Sequence, residues 1–239
     1  MTDTYRERVC SGYDHLLAID ERLFEARTEH QHLLIFKNRV FGRVLALDGV
    51  IQTTEADEFI YHEMMVHVPV LAHGSVRRVL IIGGGDGASL REALRHRAIQ
   101  QVIQVEIDPL VIDLCRQYLP NHSMGAFEDP RATIVIDDGL HFLEQTHERF
   151  DIILTDTTDP DGPAEKLFSE QFYAACKSCL TPGGVLVTQN GVAFLQLDEV
   201  RSSAGHFETL FLDWHFFTAA VPTYAGGIMA FGWASANPE

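Results

Sequence analysis

VLIIGGGDGASLREAL, from Val79 to Leu94, decides how this chain is read. An apolar, β-branched run opens into a turn holding Gly83, Gly84, Gly85 and Gly87, and an amphipathic run begins at Ala88. That order predicts a buried strand, a tight turn and a helix, with backbone amides at the helix N-terminus facing a ligand. Glycine suits the turn because it accepts positive φ and lets the backbone approach a ligand with no Cβ between them. The spacing is G-x-G-x-G. A dinucleotide site asks for G-x-G-x-x-G and a pyrophosphate, so the shorter form fits a phosphate-free nucleoside such as an adenosylmethionine.

Outward from this run, short apolar strands alternate with amphipathic segments. VLII is followed by a helix near Ala88 to His96, VIQVEI by one near Leu110 to Tyr118, and TIVID, DIILTD and GVLVTQ add three strands. LHFLEQ and SEQFYAACKSCL suit covering helices, and Pro182-Gly183-Gly184 is expected to stop the second of them. HFFTAAVP and GIMAFGWA, joined through Thr223, Tyr224, Ala225 and Gly226, read as a terminal hairpin. The expected fold is a doubly wound α/β, Rossmann-like sheet of about seven strands, which binds ligands beyond the carboxyl ends of its strands. Upstream, HLLIFKNRVFGRVLALDGVIQTT alternates apolar and polar residues around an Asp48-Gly49 turn and predicts a small antiparallel β unit. DEFIYHEMMVHVPVLAH follows, a helix-like mixture with Phe59, Met64, Val66 and Leu71 as its apolar positions, leading through His73-Gly74-Ser75 into the first buried strand. Two domains are expected: residues 1–72, a β domain with its linking helix, and residues 73–239, a nucleoside-binding catalytic domain.

Composition narrows the function classes. Thirty-four acidic residues against 18 basic give a formal charge of −16, which repels phosphate backbones and anionic lipid and attracts small cations. Nucleic acid and membrane are therefore not expected partners, although most of this acidity simply solvates the surface. No apolar stretch approaches a membrane span and MTDTYRERVC is no signal segment, so a cytoplasmic address is expected. Cys10, Cys115, Cys176 and Cys179 form no disulfide pattern. Cys176 and Cys179 have C-x-x-C spacing, but no second such pair accompanies them, so packing is favoured over zinc and no metal is expected. The 12 histidines are scattered.

The chemistry-bearing residues fall at predicted strand ends. Glu106 closes the second strand about 20 residues beyond Asp86, where a carboxylate can accept hydrogen bonds from both ribose hydroxyls. Asp137-Asp138-Gly139 closes the third. One carboxylate there can accept from an adenine amino group, and Asp137 reads equally well as a helix cap. Asp86 lies inside the glycine turn, where it would repel a ligand ending in a carboxylate and attract one ending in an amine, although Asp also suits turns for local reasons. After the fourth strand, Asp156 and Asp159 bracket two threonines before Pro160.

GGGDGASLRE, VEID, the DxxDPxGPAExLF stretch and the upstream LDGVIQTTEADEFIYHEM together resemble the spermidine synthase family of aminopropyltransferases, in its bacterial form, from about His30 to Trp233. The resemblance implies a methyltransferase-like Rossmann fold. It also implies transfer of the aminopropyl group of decarboxylated S-adenosylmethionine, a co-substrate and not a tightly bound cofactor, to putrescine, without a metal. Asp156 is then the catalytic proton acceptor, and Asp86 and Asp159 hold amino groups of the aminopropyl chain and the diamine. Gln31, Gly83, Gly85, Asp86, Glu106, Asp138, Gly139 and Pro163 fall at nucleoside-contacting positions. Gln52, Tyr61, His62 and Tyr224 fall on the amine-channel wall, where each tyrosine alone would read as core filling and His62, taken as a neutral ring orienting an amine, as an interfacial histidine.

The chemistry of such a transfer suits these residues. An alkylammonium is no nucleophile until it sheds a proton, and the sulfonium leaves as a neutral thioether without acid help. The resemblance further implies a homodimer or tetramer. In three places the sequence departs from the family: Tyr5 stands where relatives often carry tryptophan, Asp161 replaces an apolar loop residue, and the chain ends at Pro238-Glu239 where relatives commonly add a helix and a strand. An apolar surface is expected near that end. Two other readings stay open on the residues alone: a methyltransferase using intact S-adenosylmethionine, and a non-catalytic polyamine or nucleoside binding protein.

Overall fold

The strand that opens the deciding run, Arg78–Gly83, lies near the middle of a seven-stranded sheet, and its alternate residues feed two separate cores. Val79 and Ile81 pack into one, Leu80 and Ile82 into the other, which is why the run reads as continuously apolar. The computed structural model describes residues 3–160 and 162–236, leaving the side chains of residues 162 and 163 undescribed. Expectations placed on Asp161, the Pro163 side chain, Pro238 and Glu239 lie outside the described residues.

The strands are β1 (Asp3–Cys10), β2 (Tyr13–Ile19), β3 (Glu21–Arg27), β4 (His32–Asn38), β5 (Gly42–Leu47), β6 (Val50–Thr54), β7 (Arg78–Gly83), β8 (Gln101–Glu106), β9 (Ala132–Ile136), β10 (Phe150–Asp156), β11 (Leu180–Val192), β12 (Asp213–Ala220) and β13 (Ile228–Ser235). The helices are α1 (Glu58–His73), α2 (Ala88–Arg95), α3 (Pro109–Tyr118), α4 (Pro120–Ser123), α5 (Gly139–Gln145), α6 (Glu170–Cys179) and α7 (Leu197–Leu210). The large sheet runs β12-β13-β11-β10-β7-β8-β9, parallel except where β13 pairs with β11 and β12. This is the predicted doubly wound sheet with its terminal hairpin.

The N-terminal unit holds a four-stranded antiparallel sheet, β3-β4-β5-β6, as expected, and also a separate β1-β2 hairpin that the alternation pattern missed. Tyr5, Leu17 and Ile19 of the hairpin pack on Phe36, Val44 and Ile51 of the sheet. The opposite face of that sheet, with Leu33, Ile35, Leu45 and Leu47, packs on Val111, Leu114, Cys115 and Leu119 around α3. The small unit is thereby docked over the carboxyl ends of the large sheet.

Three local readings are corrected. The buried face of α1 is Tyr61, His62, Met65, Val66, Pro69 and Val70, while Phe59 and Leu71 are exposed, because the helix turns its polar His62 inward toward carboxylates. The helix before Pro182 ends at Cys179, and Pro182–Gly184 lies within β11, whose pairing with β10 is irregular there. The helix cap is Asp138, which accepts from Leu140 and His141 amides, whereas Asp137 pairs with His141. Cys176 and Cys179 are buried in the core against Phe172 and Leu143, and all four cysteines are free thiols. Among the described residues no helix is long and apolar enough to cross a membrane.

Asp57 joins α1 to the loop between β12 and β13. Its carboxylate accepts from Thr54 Oγ1 at 2.7 Å, from Thr223 Oγ1 at 2.6 Å and from the Thr223 amide at 2.7 Å, all buried. Truncation leaves the Thr223 amide without its acceptor and the two threonine hydroxyls, 3.1 Å apart, with only each other, so Asp57→Ala should lower the free energy of urea unfolding by about 3 kcal/mol.

Candidate active site

Where β7, β8, β9, β10 and β11 end, facing β5 and β6 of the small unit, the two parts enclose a cavity of about 410 Å³. Every residue named above as a candidate contact lines it, apart from Pro163, which lies outside the described side chains. Two halves can be distinguished.

The first half is built by the glycine turn. Gly83 has φ of +84°, and a Cβ there would stand 2.2 Å from the carbonyl oxygen of Asp156, so the approach of β7 to β10 requires glycine. A Cβ at Gly85 would fall 2.8 Å from Glu106 Oε2, and its absence leaves that carboxylate facing the cavity. Glu106 accepts the Asp108 amide at 3.0 Å. Burial outweighs that bond and the Ile107 amide, pushing its carboxyl up to about 7. Asp108 in turn receives Gln31 Nε2 at 3.1 Å and Thr28 Oγ1 at 2.8 Å, fixing Gln31 at the rim. Asp138 Oδ1 caps α5 while Oδ2 pairs with Lys166, and Gly139 begins that helix beside it.

The second half gathers carboxylates around one imidazole. Asp156 ends β10, accepting the Tyr61 hydroxyl at 2.9 Å on Oδ1 and the Ser89 hydroxyl at 2.6 Å on Oδ2. Asp86 spends Oδ1 on the Ala88 amide at 2.8 Å, the local turn role, and leaves Oδ2 3.5 Å from His62 Nε2. His62 Nε2 is also 4.0 Å from Asp156 Oδ2, and its Nδ1 is 2.8 Å from Glu58 Oε2. Burial disfavours the imidazolium, but Asp86, Glu58 and Asp156 prevail and push His62 up to about 9. The ring is therefore a cation at neutral pH, not the neutral group expected from sequence. Burial raises Asp156, and Asp86 adds to that, while His62, Ser89 and Tyr61 oppose it. Burial pushes both Tyr61 and Tyr224 hydroxyls far above the usual phenol range.

Beyond Asp156 the cavity continues as a polar channel. Asp159 accepts Gln196 Nε2 at 2.8 Å and Gln189 Nε2 at 3.4 Å. Tyr224 donates to the Gln52 carbonyl at 2.7 Å, and its ring meets Tyr61 edge-on at 6.1 Å between centroids. Tyr5 stacks on Phe36 inside the small core, and Glu7, two residues on, reaches the cavity instead. Sequence reasoning missed Glu7, Ser89, Glu58, Arg91 and the two glutamines. Only Glu58 carried a usable signal, its i,i+4 spacing to His62 on a predicted helix.

The chain matches the family model described as spermine/spermidine synthase domain over residues 58–239 and the one described as spermidine synthase tetramerisation domain over residues 4–55. It is 61% identical over 233 residues to polyamine aminopropyltransferase 1 of Pseudomonas aeruginosa, covering 98% of this chain and 82% of that protein. A polyamine aminopropyltransferase of Klebsiella pneumoniae is 58% identical over the same shares. Among solved structures, a spermidine synthase in complex with the transition-state analogue AdoDATO superposes with a TM-score of 0.95 at 36% identity, over 99% of this chain and 81% of that one. Spermidine synthase from Thermotoga maritima gives 0.92 at 34%, over 99% and 80%.

His62 links the site to stability. A histidine whose folded value lies above its ordinary 6.5 adds stability that is complete below pH 6.5 and is lost as pH rises toward 9. The difference in unfolding free energy between wild type and His62→Gln should therefore shrink steadily from pH 6 to about 9.5. A difference independent of pH would contradict a charged ring.

Proposed function

The chain belongs to the spermine/spermidine synthase family, and from that premise we propose that it moves the aminopropyl group of decarboxylated S-adenosylmethionine to putrescine, giving spermidine and methylthioadenosine. The observation that carries this reading is the placement of Asp86 and Asp156, with side chains only 10% and 11% exposed, facing one cavity at the lip of a glycine turn. A cofactor ending in a carboxylate would bring a third anion against this pair, whereas one ending in an amine brings the opposite charge.

The reaction follows from the residues in place. A putrescine ammonium entering along Asp159, Gln52 and Tyr224 reaches Asp156, whose carboxylate takes its proton. The freed nitrogen lone pair attacks the methylene carbon bonded to the sulfonium. The C–S bonding pair passes to sulfur, which leaves as the neutral thioether of methylthioadenosine, and no acid is needed. The new secondary amine leaves as an ammonium, and Asp156 returns its proton to solvent. Gln31, Gly83, Gly85, Glu106, Asp138, Gly139 and Pro163 hold the nucleoside in this scheme, Glu106 through the ribose hydroxyls. Asp86 holds the amine of the aminopropyl chain, and Tyr61 and His62 close the wall around the reacting carbon. Alignment of nitrogen, carbon and sulfur supplies much of the acceleration.

We assign residues 1–72 to assembly and the amine-side wall, and residues 73–239 to nucleoside binding and chemistry. The match of residues 4–55 to a tetramerisation domain supports a homodimer or tetramer built through the small unit. The four free thiols fit a reducing compartment, and the cytoplasm is the proposed site of action.

Incubation with putrescine and decarboxylated S-adenosylmethionine should release methylthioadenosine and spermidine in equal amounts, measured by chromatography, and folded protein giving neither would refute the assignment. Asp156→Asn should cut kcat by at least about 100-fold while changing methylthioadenosine affinity less than about threefold, the signature of a lost proton acceptor. Asp86→Asn should weaken decarboxylated S-adenosylmethionine by about 1.5–3 kcal/mol in calorimetry, the value of a charge-assisted hydrogen bond.

A further inference from the structure

Behind His62 stands a largely shielded pair, with side chains 11% and 10% exposed, that the reaction as written does not use. Arg91 Nη1 lies 2.9 Å from Glu58 Oε1 and Nη2 lies 3.1 Å from Oε2, a two-point clamp on the carboxylate. Arg91 is itself fixed by Glu92 at 2.7 Å and by the carbonyls of Asn121 and His122 at 2.9 Å and 2.6 Å. Glu58 then meets His62 Nδ1 through both Oε2, at 2.8 Å, and its backbone carbonyl, at 2.7 Å. With Nδ1 held twice, the ring has one orientation, and in it Nε2 faces Asp86 and Asp156.

We infer that Glu58 is a positioning residue: clamped by Arg91, it fixes His62 as the cation facing Asp86 and Asp156, and that cation keeps the Asp156 carboxylate ionised for proton acceptance. This rests on Asp156 being the base of the proposed transfer. The surroundings leave His62 that task. Around His62 and Asp156 stand Glu58 and Tyr61 from α1, Asp86 from the glycine turn, Arg91 from α2, Glu106 from β8, His122 from α4 and Tyr224 from the loop after β12. Tyr61 and Tyr224 are neutral phenols, burial holds His122 below its ordinary value, and Arg91 is spent on Glu58 and Glu92. Burial opposes ionisation of Glu58, but hydrogen bonds from His62 and Arg91 overcome it and hold that carboxyl down at about 2, so the clamp is charged at neutral pH.

The test is Glu58→Gln, read in two ways. In substrate-free protein, 15N-detected titration of His62 should fall from near 9 by about one unit or more, the usual effect of removing a contacting opposite charge. In kcat/KM for putrescine, release of the ring from its fixed orientation toward Asp156 should move the acid limb to higher pH, with the loss confined to that limb and activity within about threefold of wild type on the alkaline side. A purely structural role would lower activity equally at every pH, and that result, or an unmoved His62 titration, overturns the inference. Should Glu58→Gln fail to fold, His62→Gln carries the test, because removing the cation itself must shift the same limb upward, and an unshifted limb overturns the inference. Wild-type protein yielding no methylthioadenosine would instead refute the proposed function, and the inference, which rests on it, would fall with that reading. With wild type active, an unmoved titration overturns the inference alone.

Discussion

Everything in this molecule is arranged around the cost of burying several carboxylates beside one another. Asp86 and Glu106 are buried and the Asp156 side chain is only 11% exposed, in a cavity whose other walls mix backbone, phenols and amides with apolar side chains such as Leu45, Ile82 and Val105. Isolated buried carboxylates would take up protons and lose their chemistry. The structure offsets this with charge-assisted bonds and one imidazolium. Glu106 has only backbone amides and rises to about 7, while Asp156 also has two hydroxyl donors and the His62 ring to oppose its burial.

The fold makes that arrangement without strain in its large elements. Parallel strands deliver their last residues to one edge, so Gly83, Glu106 and Asp156 arrive together although they lie far apart in the chain. The glycine turn then lets β7 approach β10 closely enough for Asp156 to meet Ser89 at the start of α2. The fourth wall comes from elsewhere. Packing of the small sheet on α3 lowers β5 and β6 over the strand ends, and Asp57 ties α1 to the loop carrying Tyr224. A cationic chain can thus be surrounded by groups from both units.

How far the sequence revealed this depends on whether a residue's surroundings were local. The large sheet was legible because Val79–Ile82, Val102–Val105 and Ile152–Leu154 are buried on both faces and flanked by breakers. Glu106 and Asp156 were legible because each closes such a run. The β1-β2 hairpin was not, because its inward positions are Tyr5 and Glu7, and a carboxylate aimed into a cavity destroys the alternation that marks a strand. The face of α1 was misread for the same reason: it buries His62 and Pro69 and exposes Phe59 and Leu71. The charge of His62 is a property of three carboxylates from separate elements, and no single segment carries it. Asp138 was expected at the nucleoside while its neighbour Asp137 read equally well as an adenine contact or a cap, and only the backbone of α5 shows that Asp138 is the cap.

The central claim is that the anionic slot selects a ligand by the charge at the end of its chain. Isothermal calorimetry of decarboxylated against intact S-adenosylmethionine, on the same protein at neutral pH, measures that selection directly. The decarboxylated form should bind at least about tenfold more tightly, the effect of about 1.4 kcal/mol or more from one unfavourable carboxylate. Equal affinity, or a preference for the intact form, would contradict it.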